Sequence, residues 1–339
     1  MKKFLIFIIL TEIIVFAGSG LYFNKETNLI FDRTKASLVY SKITKKIPSD
    51  LPSKVTLFAV GDIMLDRGVE YIIKKEGKND FKFPFLKIAD ELKKADLLIG
   101  NLEGPISNRG EKIGSIYSFR MNLEAINGLE YAGFDVLSLA NNHALDYGRV
   151  ALEDTMNLLK QNGIEYTGAG FDEKEVFSVK IKEVKGIKIG FLAFTDFGSK
   201  FWKPGTSTSG VAFFNREDFE KIEKKINEAK KNADILIVSL HSGTEYSKNP
   251  TNFQKEFSRT CIDGGADLIL GHHPHVSQPV EQYKNGWIAY SLGNFIFDQS
   301  FSTETMQGTL LEVLIENGII KEINQKKVEI SKNFQPYLK

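Results

Sequence analysis

The sequence predicts an α/β fold with a largely parallel sheet, to which hairpins add antiparallel strands. From Val55 onward, short apolar runs typical of buried strands alternate with amphipathic stretches typical of helices. Other apolar runs are divided by Asn-Gly or Lys-Gly pairs, where hairpin turns are expected. The chain has 339 residues, enough to bury a large apolar core. We therefore predict one globular α/β domain at residues 55–333.

The first half of this domain is predicted to contain four strands and a long helix. "KVTLFAVGD" is the first buried strand, and helical periodicity follows it as far as "FPFLKIADELKKA". "DLLIGNLE" and "FDVLSLANNH" are the next two strands. The helix "GRVALEDTMNLLKQNG" is closed by Gly163, because glycine commonly ends a helix, and "IEYTGAG" is the fourth strand.

The second half is predicted to be richer in hairpins. "FSVKIKEVKGIKIGFLAFTD" turns at Lys185 and Gly186, and a charged helix covers about residues 216–232. The strand "DILIVSLH", a helix near 252–263 and the strand "DLILGHH" follow. The runs "VEQYKNGWIAYSLGNF" and "GTLLEVLIENGIIKEINQKKVEI" are each expected to bend at an Asn-Gly pair.

The segment before the globular domain predicts a membrane anchor. Two lysines precede about twenty mostly apolar residues, enough to span a bilayer. The segment also resembles a secretory signal peptide with "FAGSG" as a cleavage site. We favour an uncleaved membrane helix at residues 1–23, because the apolar character resumes at "LYF". Residues 24–54 are polar and basic and predict a linker.

Composition argues against nucleic-acid binding and against a disulfide-stabilised fold. The 44 basic and 43 acidic residues nearly balance, so no overall positive field favours nucleic acid, and we expect no nucleic-acid partner. The one cysteine, Cys261, excludes an internal disulfide. Because Cys261 lies in an apolar helical stretch, it is predicted to be a core residue rather than a nucleophile.

Five polar motifs follow five of the predicted strands, and together they contain all five histidines. The motifs are "GDIMLDR", "GNLEGPIS", "NNHALD", "HSGTEY" and "GHHPH". In open α/β sheets, ligands bind beyond the carboxyl ends of the strands. A single histidine is most often structural, but five at equivalent strand ends are hard to obtain by accident. Asp, Glu, Asn and His gathered there predict a site for Mn, Fe or Zn.

In this order the motifs resemble those of the CapA family, the capsule and poly-gamma-glutamate synthesis proteins. That family is related to the calcineurin-like metallophosphoesterases. The resemblance covers about residues 55–300 and includes "LANNHALDYG", "GADLILGHHPHV" and "YSLGNFIFD". It implies a four-layer α/β/β/α sandwich of two mixed sheets, a metallophosphoesterase-like fold.

The resemblance also implies ligands for a divalent metal ion. At the final Gly-His-x-His motif we prefer His273 and His275 over a pair that uses His272. The reason is that alternate residues on an extended backbone point to one side. His272 would then pack on or hydrogen-bond to the metal ligands without binding the metal itself, and Asn101 is expected in the same outer position. The full set of expected ligands is Asp62, Glu103, Asn142, His241, His273 and His275.

Two departures from the family pattern affect this metal site. Met64 stands where the related metallophosphoesterases have a histidine, and Asn101 stands where they have a bridging aspartate. Two alternatives therefore remain: the cup binds a single metal ion, or Glu103 completes a second, weaker metal site. Ordinary phosphodiesterase activity is not assumed.

The remaining motif residues are candidates for chemistry and substrate binding. The resemblance implies that His143 protonates a leaving group, and Glu245 could be a second proton-transfer group or merely a helix cap or surface acid. Arg67 and Arg120 could grip carboxylates or phosphates. Asn294 either lines the site or forms a turn.

Two classes of function remain open. In the first, an accessory protein binds metal and an anionic polymer such as poly-gamma-glutamate, together with integral-membrane subunits for capsule synthesis and export. In the second, a metal-dependent hydrolase cleaves phosphoesters or amides. The histidine missing at Met64 favours the first class, and the retained Asn142, His143 and His241 favour the second. The resemblance implies a single-pass membrane protein with its domain on the extracellular side.

Overall fold

The structure, a computed structural model, describes residues 53–113 and 116–339. The described residues belong to one compact unit, Pro52–Lys339. The predicted membrane helix at 1–23 lies outside the described residues, as does the predicted linker apart from its last two positions. Within the described part of the chain, no helix combines the length and the apolar character that crossing a bilayer requires.

Sixteen strands make up the sheets of the described chain. They are β1 (Lys54–Ile63), β2 (Leu97–Leu102), β3 (Val136–Ser138), β4 (Glu165–Thr167), β5 (Ala169–Gly170), β6 (Lys180–Val184), β7 (Ile187–Thr195), β8 (Gly210–Val211), β9 (Ile235–His241), β10 (Leu268–His272), β11 (Val280–Tyr283), β12 (Gly286–Ala289), β13 (Asn294–Ile296), β14 (Gln307–Glu316), β15 (Ile319–Ile330) and β16 (Pro336–Leu338).

Seven α-helices lie between these strands in the same part of the chain. They are α1 (Arg67–Lys75), α2 (Ala89–Leu92), α3 (Ala125–Ala132), α4 (Gly148–Gln161), α5 (Glu173–Val176), α6 (Phe219–Lys230) and α7 (Asn252–Asp263). Short 3-10 helices cover Phe83–Phe85, Lys200–Trp202 and Arg216–Asp218.

Two mixed sheets form the centre of the domain. The first sheet has the order β16-β15-β14-β1-β2-β3-β4, with β13 also paired to β1, and the second has the order β11-β12-β10-β9-β7-β6. Strands β1 to β4 run parallel, as do β7, β9, β10 and β12. The hairpins add antiparallel strands at the edges. The prediction of an α/β fold with mixed sheets is confirmed.

Three apolar clusters show how the layers pack. One cluster lies between the sheets and contains residues of both, including Val55, Leu57, Ile99, Ile189, Ile237 and Leu268. A second joins the first sheet to the helices α1 to α4. A third joins the second sheet to α6 and α7 and contains Cys261, which is a core residue as expected. The order of layers is therefore helix, sheet, sheet, helix.

Most local predictions match the structure, and one helical stretch differs. The hairpin turn at Lys185 and Gly186 has positive φ at both residues, as a tight turn requires. Helix α7 covers the predicted residues 252–263. The stretch "FPFLKIADELKKA" forms only the 3-10 turn Phe83–Phe85 and the four-residue α2, and α3 has no counterpart among the predictions.

The two sheets bring the carboxyl ends of their parallel strands to one edge. The backbone N–H of Asp62, at the end of β1, donates to Gly293 O at 3.0 Å. This approach requires glycine at position 61, because a Cβ there would lie 1.8 Å from Gly293 O. Strands β9 and β10 pair with His241 opposite His272. Between the sheets, His272 Nδ1 lies 3.1 Å from Asp62 Oδ1, so the polar motifs that follow these strands meet.

Candidate metal centre

The motifs enclose one polar cup with a side from each sheet. The first-sheet side consists of Asp62, Asn101, Glu103, Asn142 and His143, and the second-sheet side consists of His241, Glu245, His272, His273 and His275. Contacts between the sides join motifs that are far apart in sequence, such as His272 and Asp62. The convergence of the strand ends that the sequence predicts is present in the structure.

Asp62 lies at the floor of the cup and is fully buried. Its Oδ1 accepts from Asn101 Nδ2 at 2.9 Å and from His272 Nδ1 at 3.1 Å. Its Oδ2 accepts from the backbone N–H of His273 at 3.3 Å. Burial by itself would raise the pKa of Asp62, but the hydrogen bonds and charges of His272 and His275 outweigh it and hold the pKa well below its usual range.

Asn101 cross-links the first-sheet side. Its Nδ2 lies 2.9 Å from Asp62 Oδ1, 3.3 Å from Glu103 Oε2 and 3.4 Å from His241 Nδ1. Its Oδ1 accepts from Asn141 Nδ2 at 3.1 Å. The amide nitrogen, which cannot bind a cation, therefore faces the carboxylates. Asn101 therefore orients Asp62 and Glu103.

Glu103 is fully buried and has one oxygen without a hydrogen bond. Within the described chain, Oε1 has no hydrogen-bond partner, although His275 Nε2 lies 3.6 Å away and His143 Nε2 3.8 Å away. Burial, followed by the negative charge of Asp62, raises the pKa of Glu103 well above its usual range. A buried carboxylate oxygen of this kind is available to a cation.

His275 lies between the two carboxylates. Its Nδ1 is 2.9 Å from Asn294 Oδ1 and 3.4 Å from Asp62 Oδ2, and its Nε2 faces Glu103. Burial by itself would lower the pKa of His275. The charge of Glu103, the hydrogen bond and charge of Asp62 and the hydrogen bond of Asn294 raise it instead, to about 9. In the metal-free protein, His275 is the cation of the cup floor.

His273 has the opposite character. Its side chain is 4% exposed, and its Nδ1 is buried without a hydrogen-bond partner among the described residues. The ring lies against Phe197, with centroids 4.0 Å apart. Burial, followed by the charge of His275, lowers the pKa of His273 to about 3. His273 is therefore a neutral imidazole with a nitrogen available to a ligand.

The loop that carries His273 and His275 differs from the geometry assumed above. Strand β10 ends at His272, and His273 and His275 then take φ values of 96° and 57°. The pair therefore does not point to one side because of an extended backbone, and that reasoning was wrong. The side chains nevertheless lie together, with ring centroids 5.9 Å apart, because the loop turns sharply.

His241 and Asn142 meet across the two sides of the cup. His241 Nε2 lies 2.7 Å from Asn142 Oδ1, so the ring N–H donates to the amide oxygen. Burial, followed by the charge of His273, lowers the pKa of His241 well below its usual range. The structure thus brings together His241 and Asn142, two of the expected metal ligands. In this arrangement their side chains hydrogen-bond to each other.

His143 is held by a residue that the sequence analysis did not single out. Asp146 Oδ2 lies 2.7 Å from His143 Nδ1, which directs Nε2 toward Glu103. The ring also packs on Phe119, with centroids 4.0 Å apart. Asp146 follows His143 by three residues in the same turn, so its spacing was a usable signal. Asn141, which donates to Asn101 Oδ1 and to Leu102 O, was missed in the same way.

The proposed substrate-binding residues are engaged with the protein itself. The Arg67 guanidinium forms a two-pronged ion pair with Asp298, and Arg120 donates to the carbonyl oxygens of Arg109 and Gly110. Asn294 is buried, accepts from His275, and donates to Gln299 Oε1 and Thr305 O. The structure brings Asn294 into the wall of the cup, where it orients His275.

Met64, in the first motif, provides no nitrogen ligand to the cup. Its side chain is fully buried in the apolar cluster beneath the first sheet, and its sulfur accepts from the backbone N–H of Asp66 at 3.1 Å. A thioether at this position is a poor ligand for a hard divalent cation.

The donor set of the cup nevertheless fits a divalent metal ion. Asp62, Glu103 and His275 offer ligand atoms within 4.8 Å of one another, as do Glu245, His273 and His275. Glu103 Oε1 and His273 Nδ1 are buried without hydrogen-bond partners in the described chain, which is unusual for polar atoms in proteins. Mixed carboxylate and imidazole ligands suit Mn, Fe or Zn.

Comparison with known proteins gives a family match. The family model described as "Bacterial capsule synthesis protein PGA_cap" matches residues 56–299. All five polar motifs of the cup lie within that range.

Individual relatives match over most of the chain. The capsule biosynthesis protein CapA of Bacillus anthracis is 36% identical over 271 residues, which cover 78% of this chain and 65% of that protein. The match thus spans slightly less than two thirds of its length. The PGA biosynthesis protein CapA of Bacillus subtilis is 34% identical over 279 residues, covering 81% of this chain and 72% of that protein. A probable polyglutamine synthesis accessory protein of Mycobacterium tuberculosis is 26% identical over 286 residues, covering 73% and 75%.

Comparison with solved structures gives more distant matches. A phosphatase of Mycoplasma pneumoniae aligns with a TM-score of 0.48 at 16% identity, covering 82% of this chain and 95% of that one. The NAD nucleotidase of Haemophilus influenzae aligns with a TM-score of 0.44 at 13% identity, covering 85% and 60%.

Proposed function

The chain belongs to the PGA_cap family of bacterial capsule synthesis proteins, and from this membership we propose that it acts in the synthesis of capsule or poly-gamma-glutamate. In this proposal residues 1–23 anchor the protein in the cell membrane, and the domain lies on the outer side. The cup binds a divalent metal ion and an anionic polymer there. Integral-membrane subunits for synthesis and export are its partners.

One observation supports metal binding most strongly, the unpaired Glu103 Oε1 beside Asp62 and His275. A buried carboxylate oxygen without a hydrogen bond costs stability unless a cation or a proton satisfies it. We assign Asp62, Glu103 and His275 as the ligands at the floor of the cup. Asn101 and His272 orient Asp62, and Asn294 orients His275.

The same ion would provide the positive charge that an anionic polymer needs. Arg67 and Arg120, the cations expected to hold substrate, donate to Asp298 and to backbone carbonyls. Substrate carboxylates therefore approach a cup whose protein charges are largely acidic. A bound divalent ion would offset this charge and polarise a carbonyl or phosphoryl oxygen.

A second candidate function, metal-dependent hydrolysis, is favoured by the pair of His143 and Asp146. With Nδ1–H donated to Asp146, His143 presents Nε2 to the cup, where it can hold a proton and give it to a leaving group. The same pairing keeps the imidazole in one tautomer and one orientation. This geometry is what a general acid requires.

Two variants separate these functions in cells that depend on this protein for polymer. Glu103→Gln should remove the metal, measured by elemental analysis of the purified full chain, and should abolish polymer production.

His143→Gln should keep the metal. If it still supports polymer production, the accessory function holds and the hydrolase fails. Loss of production, with hydrolysis of a polymer or phosphodiester substrate slowed by about 10²- to 10⁴-fold, supports the hydrolase. Full metal content and full production in Glu103→Gln would refute the proposed cup.

The membrane arrangement has its own test. Protease added to intact cells should digest the domain, because the proposal places it outside. A domain protected until the cells are opened would refute this orientation.

A further inference from the structure

A groove outside the cup, with a volume of about 110 Å³, lies beside helix α6. We propose that this groove binds a segment of poly-gamma-glutamate, with lysines holding its carboxylates and aromatic rings packing on its aliphatic chain. The inference rests on the proposed function in that both require an anionic polymer as the substrate. The lining that carries it consists of Lys203, Lys221, Lys225, Phe177, Phe213 and Phe214.

Lys225 is the lysine of the groove that lacks an acidic partner in the described chain. Lys203 pairs with Asp218 at 3.1 Å, and Lys221 pairs with Glu173 at 3.6 Å. Lys225 forms no such ion pair, although its side chain is partly buried. A cation that is partly removed from water is stabilised by an anion, and here the described chain supplies none. Lys225 therefore points to an anionic ligand.

Two like charges converge on one ring of the groove. Lys221 and Lys225 are four positions apart on α6, so their side chains extend from the same face of the helix. Their Nζ atoms lie 5.9 Å and 4.8 Å from the centre of the Phe177 ring. Like charges at this spacing destabilise a helix. An anion bound between the two ammonium groups would remove this repulsion.

The aromatic part of the lining indicates which anion would bind. Lys203 Nζ lies 5.6 Å from the centre of the Phe213 ring, and Phe214 is held by stacking on Phe257, with centroids 4.1 Å apart. Glutamates joined through their γ-carboxyl groups keep one free carboxylate and two methylene groups in each residue. The lysines match the carboxylate, and the rings match the methylene groups. The volume equals that of about four water molecules, at roughly 30 Å³ each, so a carboxylate and its neighbouring methylene groups have room.

The groove lies next to the cup along the loop that follows β7. Phe197, near the start of this loop, packs on His273 of the cup with centroids 4.0 Å apart. Gly198 lies against the groove, because a Cβ at this position would be 3.3 Å from Phe213 Cδ2. A polymer bound at the cup can therefore extend across this loop and reach the groove.

The test measures binding of fluorescein-labelled poly-gamma-glutamate to the purified full chain by fluorescence anisotropy. Lys225→Gln should raise the Kd about tenfold, because it removes a charge-assisted contact. Lys225→Arg keeps the charge and should keep most of the affinity. The matched control is Lys224→Gln, which removes the same charge from the next position of α6, where the side chain is exposed and pairs with Glu220.

The control should bind the polymer as the wild type does, since Lys224 does not line the groove. Equal weakening by Lys224→Gln and Lys225→Gln would show a general effect of charge and would refute the groove. A Kd unchanged in both variants would refute it as well. Thermal unfolding of each variant checks that all of them fold.

Alginate tests the class of polymer, because it carries a carboxylate on each sugar but no methylene chain. It should bind more weakly than poly-gamma-glutamate, and Lys225→Gln should affect it less. An equal or greater dependence of alginate binding on Lys225 would refute the assignment to a glutamate polymer.

Glu103→Gln in the same assay distinguishes this inference from the proposed function. If Lys225→Gln binds as the wild type while Glu103→Gln binds weakly, the groove is refuted and the cup stands as the polymer site. If Lys225→Gln alone weakens binding, the groove stands and polymer binding by the cup is refuted. If both weaken binding, both sites stand. If neither does, or if the wild type does not bind, both are refuted.

Discussion

The two sides of the cup are built on different principles. On the first-sheet side, Asn101 donates to both carboxylates and Asn141 fastens Asn101 in turn, so oxygen donors are held by side-chain amides. On the second-sheet side, His273 and His275 stand on a backbone of positive φ, and His273 Nδ1 lacks a partner in the described chain. Side-chain amides orient the carboxylates of the first-sheet side, whereas the fold of the loop places His273 and His275, of which only His275 is also held by an amide, that of Asn294.

This difference shows how a cup that lacks a histidine at Met64 can still fit a metal ion. The first-sheet side offers carboxylate oxygens but presents an amide nitrogen where a bridging carboxylate would be expected. The second-sheet side offers imidazoles that the protein itself leaves partly unpaired. His275 connects the two, because it contacts Asp62 and Glu103 and lies in both candidate ligand sets. Four predictions test this comparison.

The largest effect is expected for His275→Ala. The ring lies 3.4 Å from Asp62 and 3.6 Å from Glu103, so its loss leaves buried acids without their cation. Removing one partner of a buried ion pair typically costs about 3–5 kcal/mol in the free energy of unfolding. Urea unfolding of the metal-free full chain measures this, and elemental analysis should show the metal lost. His143→Ala, outside both ligand sets, should keep its metal. Equal metal content in the two variants would refute the proposal that His275 connects the two sides as a metal ligand.

The next effect concerns pH. Because the folded-state pKa of His275 is raised to about 9, its stabilisation is fully present below the unfolded value of about 6.5 and is lost as pH rises through about 9. We expect the free energy of unfolding of the metal-free protein to fall on the order of 3 kcal/mol between these limits. Denaturant unfolding at several pH values measures it. A wild-type slope as flat as that of His275→Ala would contradict the assignment.

A smaller effect is expected for Asn101→Asp. The change replaces a donor to Asp62 and Glu103 by a third buried carboxylate, and leaving the acceptors unpaired should cost about 1–3 kcal/mol of metal-free stability. The added charge should at the same time tighten binding of Co²⁺, titrated into the metal-free full chain and followed by visible absorption. Asn101→Ala should lose stability without this gain. If Asn101→Asp binds Co²⁺ no better than Asn101→Ala, the amide does not occupy the position of a ligand.

The smallest effect is expected at the edge of the first-sheet side. Arg67 pairs with Asp298 but is partly exposed, so solvent screens the interaction. Arg67→Ala should lower the free energy of unfolding by no more than about 1 kcal/mol. Its metal content should match the wild type in elemental analysis. Loss of metal from this variant would show that the cup depends on charges beyond its two sides.

Much of the fold was predictable because its signals are local. The hairpin at Lys185 and Gly186, the helix at 252–263 and the placement of the polar motifs after strands all depend on residues close in sequence. Glycine tolerates positive φ, and apolar periodicity reports which face is buried. The stretch around Pro84 was less predictable, because its apolar spacing suits a helix while the structure forms only short turns there.

The sequence by itself determined which ligand types reach the cup: carboxylates, amides and imidazoles at strand ends, with methionine at position 64. Only the tertiary structure decided how they pair. Arg67 meets Asp298, 231 positions away, and His272 meets Asp62, 210 positions away. Periodicity and turn chemistry act over a few residues, whereas the partner of a polar side chain depends on which distant strands become neighbours. The direction of the Asn101 amide and the unpaired nitrogen of His273 follow from that packing, so no local pattern could reveal them.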